Sequence, residues 1–412
     1  MNRRTALAVG TLALSWLGGV AAAGDLQSPY MASSSGAAGS APLVDVGRPP
    51  ADVPPPARES APLFPSNDYD GRCCGRGAHL TGGAGLYIMQ PHFESNPAFF
   101  SIQTTSTAVP TRVVNAAVQQ DFSTEMAVAP QVWFGLVSDS GLGLRTRWWH
   151  FDQSYRQTTT NPAQPDPTIT MGIDSAAPLG LRVTSSSNIG LADPLSFSSN
   201  LKITVWDLEA TQDLHLGKCA LLLSGGIRYA HLSQDYNAAR ARSGLAPDGI
   251  GGSIDFTVDA DTLRSGHNFN GAGPVFGLEV HRPIGGTGLA LYGSSRGSLL
   301  FGDGKQRAFQ LTVQQGTTEF GLPVDLIAFN SASSTRHDLL PIAELEVGLE
   351  FARDLGRGRL FAQTALVGQV WFGADNAARS TTADTLGVLR GGTIEESNLG
   401  FIGLSIRAGV DF

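Results

Sequence analysis

Charged residues recur in this 412-residue sequence at every second position of otherwise apolar runs. In the run 344–351, Glu344, Glu346 and Glu350 alternate with Leu345, Val347, Leu349 and Phe351. A spacing of two puts the carboxylates on one face of a β-strand and the apolar side chains on the other. The same phase sets Asp207 and Glu209 against Trp206, Leu208 and Ala210, Arg228 between Ile227 and Tyr229, and Glu279 between Leu278 and Val280. It also sets Arg296 opposite the face of Leu291, and Arg407 and Asp411 opposite Ile402, Leu404, Ile406 and Val410. With Arg145 and Arg147 added, bases and acids are close to balance. Inside a closed sheet such groups must pair, because an unpaired charge in a narrow lumen is costly. Most of the pairs are therefore expected to be structural. If a channel stays open between them, facing acids and bases set a transverse field that orients polar solutes.

Other chemistry is weakly supported. Histidines stand near acids at His150 and Asp152, His231 and Asp235, and His337 and Asp338, with His267 alone, but no Gly-x-Ser-x-Gly nucleophile motif accompanies them. The acids Asp248, Asp255, Asp259 and Asp261 miss the spacing of a calcium loop and read as solvated loop charge. The three cysteines, Cys73, Cys74 and Cys219, form neither a disulfide framework nor a Cys-x-x-Cys metal site. A net charge of −8 without runs of Lys or Arg argues against nucleic acid. The expectation is no enzyme, no cofactor and no metal.

The elements that must carry the alternating charges are strands. Ten runs show period-2 alternation, at 79–90, 126–137, 141–152, 200–214, 218–232, 269–281, 287–301, 341–353, 358–373 and 399–412. Each is long enough to cross a bilayer as a tilted barrel strand, which takes about 9 to 11 residues. Short gaps with Gly, Asp or Pro at 138–140, 215–217, 282–286 and 354–357 alternate with long polar gaps at 91–125, 153–199, 233–268, 302–340 and 374–398. Outer-membrane barrels put short turns in the periplasm and long loops outside; a soluble sandwich has no reason to alternate so. Because a carboxylate cannot cheaply face lipid, the apolar face points out and the charged face in. Trp133, Phe134, Trp148, Trp149, Tyr229, Phe301, Trp371 and Phe372 sit near strand ends, as interfacial girdles do.

No apolar run is long enough for a spanning helix, which needs about 20 residues. Arg3 and Arg4, the apolar run Thr5–Val20 and Ala21–Ala23 read as a cleaved signal peptide over 1–23. Residues 24–70, rich in Pro, Ala and Ser, read as a periplasmic linker, and 71–412 as the barrel.

Five segments, TVWDLEATQDLHLGK, LLLSGGIRYAHLSQDYN, FNGAGPVFGLEV, LYGSSRGSLLFGDG and LPIAELEVGLEFAR, carry a resemblance to the pore-forming outer-membrane proteins of the Legionella major outer-membrane protein type. The likeness covers about residues 79–412 and lies in strand-turn texture and in the Asp-Leu-Glu and Gly-x-Gly-Pro patterns. It implies a porin-like barrel with no catalytic residues to carry over.

The sequence thus predicts an all-β, transmembrane, antiparallel up-and-down barrel of ten strands, or twelve if a hairpin hides near Phe309–Val313 or Thr111–Val118. The function expected is passive diffusion of small polar solutes, with Arg145, Arg147, Asp207, Glu209, Arg228, Glu279, Arg296, Glu344, Glu346, Glu350, Arg407 and Asp411 lining the pore. Ten strands give a narrow lumen, which keeps open a non-conducting anchor or adhesin presenting surface loops, and, with less support, a barrel protease or lipase. Expected partners are outer-membrane lipid, the barrel-assembly machinery, small polar solutes and a second copy of the chain, with no nucleic acid. The terminal Phe412, on the lipid face, is expected to act as the assembly signal.

Overall fold

The computed structural model describes residues 78–108, 111–161, 169–176, 181–186, 193–247, 252–356, 358–378 and 397–412. The signal peptide, the linker, Cys73, Cys74 and Asp248 lie outside the described residues. The strands in chain order are β1 (His79–Phe93), β2 (Pro97–Ala108), β3 (Thr111–Asp121), β4 (Ala127–Val137), β5 (Leu142–Thr160), β6 (Ile169–Ser175) and β7 (Thr184–Ser186). They continue as β8 (Pro194–Leu216), β9 (Cys219–Pro247), β10 (Ser253–Pro283), β11 (Leu289–Thr318), β12 (Pro323–Leu355), β13 (Gly358–Trp371) and β14 (Leu399–Asp411).

Ten of these strands close a barrel in the order β1-β14-β13-β12-β11-β10-β9-β8-β5-β4, every pair antiparallel, with β4 returning to β1. β2, β3, β6 and β7 form a separate sheet in the order β3-β2-β6-β7. The twelve-strand alternative is therefore corrected. Thr111–Val118 belongs to β3 of the small sheet, and Phe309–Val313 lies inside β11.

The turns at the periplasmic end are short, as at Gly217, whose φ of 62° few side chains tolerate. The chain end is tied back to the start of the barrel: Phe412 N–H donates to Leu80 O at 2.7 Å and Leu80 N–H to Phe412 O at 3.2 Å. Outward residues such as Leu345, Val347, Leu349, Phe351, Ile402 and Phe412 are exposed, forming the apolar band that faces lipid.

The long polar gaps 233–268 and 302–340, expected as loops, are mostly strand. β9 to β12 run for 29 to 33 residues, about three times a membrane crossing. The physical reason is that the alternation marks a strand only while one face meets lipid. Above the bilayer both faces can be polar, and the ladder continues unmarked.

Candidate functional site

The lower lumen is built by the inward phase of seven strands. Arg145 and Arg147 come from β5, Asp207 and Glu209 from β8, Arg228 from β9, Glu279 from β10, Arg296 from β11, the three glutamates from β12, and Arg407 and Asp411 from β14. Small inward residues leave room for them: Gly226 stands opposite Glu209 and Gly277 opposite Arg296.

Asp207 is the hub. Its two oxygens accept from Arg228 Nε at 2.7 Å and Nη2 at 3.0 Å, and Oδ2 also accepts from Arg296 Nη2 at 3.1 Å. Arg228, 0% exposed, reaches Glu344 and Ser298 Oγ as well, and Arg296 pairs with Glu209. Arg145 Nη2 bridges Glu209 at 3.0 Å and Glu279 at 2.8 Å. A second chain runs from Arg147 through Tyr87, whose hydroxyl donates to Glu346 at 3.0 Å, to Arg407, which pairs with Glu346 and lies over the Tyr292 ring at 5.4 Å. Nearer the turns, Glu350 accepts from His281 Nδ1 and Arg359 Nη2, both at 2.8 Å, and from Gln363 Nε2 at 2.7 Å. Asp411 stands apart at the rim, accepting from Thr81 Oγ1 at 2.6 Å.

The sequence reading missed Tyr87, His281, Tyr292, Arg359 and Gln363. Their phase was available, since His281 follows Glu279 by two and Tyr292 precedes Arg296 by four. An aromatic near a strand end, however, reads as a girdle residue when only charges are used to set the phase.

The expectation of a polar lumen throughout is corrected. Above the ion pairs lies an apolar layer that includes Trp149, Phe151, Ile203, Leu232, Leu300, Leu340, Trp371 and Phe401. Trp149 packs edge-on against Tyr87 at 6.0 Å and Trp371 at 6.2 Å, and Phe151 against Phe401 at 5.2 Å. Trp149 and Trp371, assigned to the interfacial girdle, thus point inward, and so does Trp133, tilted against Phe361. Their neighbours Trp148, Phe134 and Phe372 point outward, Trp148 lying 6.1 Å from Trp206. Adjacent aromatics must take opposite faces of a strand, so each pair could supply only one girdle residue.

A third layer lies beyond. The small sheet packs Phe99, Phe100 and Ile173 against Tyr155, Phe197, Tyr236 and Leu263 of the barrel strands. Phe99 stacks on Phe197 at 5.1 Å, and Tyr236 donates to Ala98 O at 2.7 Å while accepting from Ala176 N–H at 3.0 Å.

None of the histidines stands in the pairing expected from sequence. His150 stacks on Trp148 and bonds Thr204, His231 bonds Asn270, and His337 meets Asp303 rather than Asp338, which holds Arg336. His267 is buried. Of the acids read as solvated charge, Asp255 is exposed as expected, whereas Asp259 and Asp261 are buried and that reading is corrected for them. Asp259 is buried between Arg240 and Arg242, and Asp261 accepts from Gln310 and Thr312. Among the described residues no cluster could hold a metal ion.

Asp174 in the small sheet is buried, and among the described residues its one charged partner is the half-exposed Arg182, at 3.6 Å. Burial pushes its carboxyl up to about 6, against the smaller opposing pull of Arg182. The folded pKa lies above the unfolded one, so the ionised form carries a penalty that is full above pH 6 and relieved as pH falls through it. Amide exchange in β6, corrected for intrinsic rate, should slow between about pH 7.5 and pH 5, and Asp174→Asn should abolish that dependence. An unchanged profile in the wild type would refute the assignment.

The family model described as the Legionella pneumophila major outer membrane protein precursor matches residues 76–412. No functionally curated protein matches the chain. Among solved structures, the outer membrane protease OmpT from Escherichia coli aligns over 81% of this chain and 96% of its own, at 10% identity and a TM-score of 0.34. The Pseudomonas putida toluene transporter TodX aligns over 82% and 90%, at 10% identity and a TM-score of 0.19. A Pseudomonas aeruginosa FadL homologue aligns over the same shares, at 8% identity and a TM-score of 0.22.

Proposed function

Because the chain belongs to the family of the Legionella pneumophila major outer membrane protein, and forms an outer-membrane β-barrel, we propose that it is a closed barrel, an anchor that holds extended strand walls and a small sheet at the cell surface. One observation carries this reading. The lumen is crossed by the apolar layer of Trp149, Trp371, Phe151 and Phe401, all 0 to 1% exposed. Passive diffusion of small polar solutes needs a continuous wet path, and apolar side chains at close packing leave none. The charged residues expected to line a pore serve instead as cross-braces between walls.

The reading assigns the chain no catalytic role and no cofactor. Export by a cleaved signal peptide, and insertion through the barrel-assembly machinery with Phe412 as the signal, belong to it. Its partners would be lipid around the band and molecules met at the cell surface.

The test is conductance. Refolded protein in planar bilayers should give no discrete current steps above the lipid background, and liposomes carrying it should not swell in small neutral sugars. Stepwise channels of uniform size would sink the closed-barrel reading and restore the porin.

A further inference from the structure

The lipid-facing wall carries a depression near its periplasmic end. A groove of about 720 Å³ crosses β1, β14, β13, β12 and β11. Its floor follows from the ladder register. Ala84 pairs with Ala408, Ala408 with Ala362, Ala362 with Phe351, and Phe351 with Leu289. Three neighbouring strands thus present only a methyl group at the same level, while Phe351 forms one bank and Ile406, in the next outward row, another. Among convex walls studded with Leu and Val, three adjoining alanines make a trough about 10 Å long across the strands, with the next outward rows about 7 Å to either side, room for one hydrocarbon chain.

The next outward row towards the turns reads Gly82, Val410, Leu360 and Arg353. Arg353 is exposed and, among the described residues, has no ion pair or side-chain hydrogen bond. It stands two residues below Phe351 on the same face, hence about 7 Å along the strand from the groove. A base at the border between an apolar band and water, aimed at the bilayer, lacks an anion that the protein itself does not supply.

We propose that this groove is a seat for one phospholipid of the periplasmic leaflet, with an acyl chain over Ala84, Ala408 and Ala362 and the phosphate on Arg353. The charge fits a phosphodiester, and the groove is continuous with the surface that already meets the bilayer. A second copy of the barrel fits less well, because two convex walls would touch at the banks and leave the alanine floor empty.

Native mass spectrometry of the detergent-solubilised full chain with added phosphatidylglycerol tests this. The wild type should retain one lipid at activation energies that strip the rest. Arg353→Gln should weaken retention about fivefold, the worth of one arginine near a phosphate layer. Ala362→Phe, which fills the trough, should abolish it. Both variants face lipid, and heat-modifiable gel mobility checks that they fold; should Ala362→Phe fail that check, Ala408→Leu fills the same floor. Equal retention by wild type and variants, or none by the wild type, would overturn the proposal. A dimer mass lost on filling the groove would overturn it in favour of contact between copies.

Discussion

Replacing Arg228 with methionine should lower the unfolding free energy of the barrel by about 3 to 5 kcal/mol, the cost of breaking a buried ion pair from one side. Arg228 is fully buried and donates to both oxygens of Asp207 and to Glu344. Methionine fills much of the volume but leaves Glu344 without its closest base and, among the described residues, Asp207 with Arg296 alone at hydrogen-bond distance. Asp207→Asn in the same background should recover part of the loss, because it removes the charge that the first substitution stranded. Urea titration of the refolded protein in phospholipid vesicles, followed by tryptophan fluorescence, reads the change; Trp149 sits directly above the network. A loss under about 1 kcal/mol would mean that water reaches these carboxylates, and with it the closed lumen would fall.

The same residues show how much of the fold is legible in the sequence. The ten membrane crossings, their phase and the inward assignment of Asp207, Arg228, Glu279, Arg296 and Glu344 follow from one rule, that a charge does not face lipid. The rule is strong where it applies, and it is silent elsewhere. It could not place Trp149 or Trp371, since an aromatic is tolerated on either face. It could not extend β9 to β12 above the bilayer, because there Gln310, Thr312 and Asp261 face in while Ser331 and Thr335 face water, and both sets are polar. The pairing of Arg145 with both Glu209 and Glu279 depends on which strands are neighbours and how they are staggered, a property of closure that no single strand encodes. The open or closed state of the lumen was illegible for the same reason. It turns on side chains from β5, β8, β11, β12, β13 and β14 meeting at one level.

Closure itself yields the second large effect. Gly403→Val should prevent most of the protein from reaching the folded state, whereas Gly400→Ala on the same strand should fold normally. β14 seals the barrel against β1 through thirteen paired positions, from Thr81 with Asp411 to Phe93 with Leu399. Gly403 lies inside this seam opposite Met89. A Cβ there would overlap Ile88 O and stand 2.7 Å from Met89 Cα, both backbone atoms held by the ladder, so neither can swing aside as a flexible side chain would. At Gly400 the nearest atom to a new Cβ is His92 O at 3.6 Å, an ordinary contact. Overpacking commonly costs about 1 to 3 kcal/mol, more where the backbone must move, and valine adds two further methyl groups to the collision. A barrel has no partial solution: if β14 shifts, both edges are left with unpaired amides in a medium that cannot hydrate them. Cold gel electrophoresis of unheated samples separates compact barrel from unfolded chain. Gly403→Val should run almost wholly as the unfolded species and Gly400→Ala as the wild type. Equal folded fractions for the two would show that the seam is looser than its register, and that β1 and β14 do not close the wall as tightly as their pairing requires.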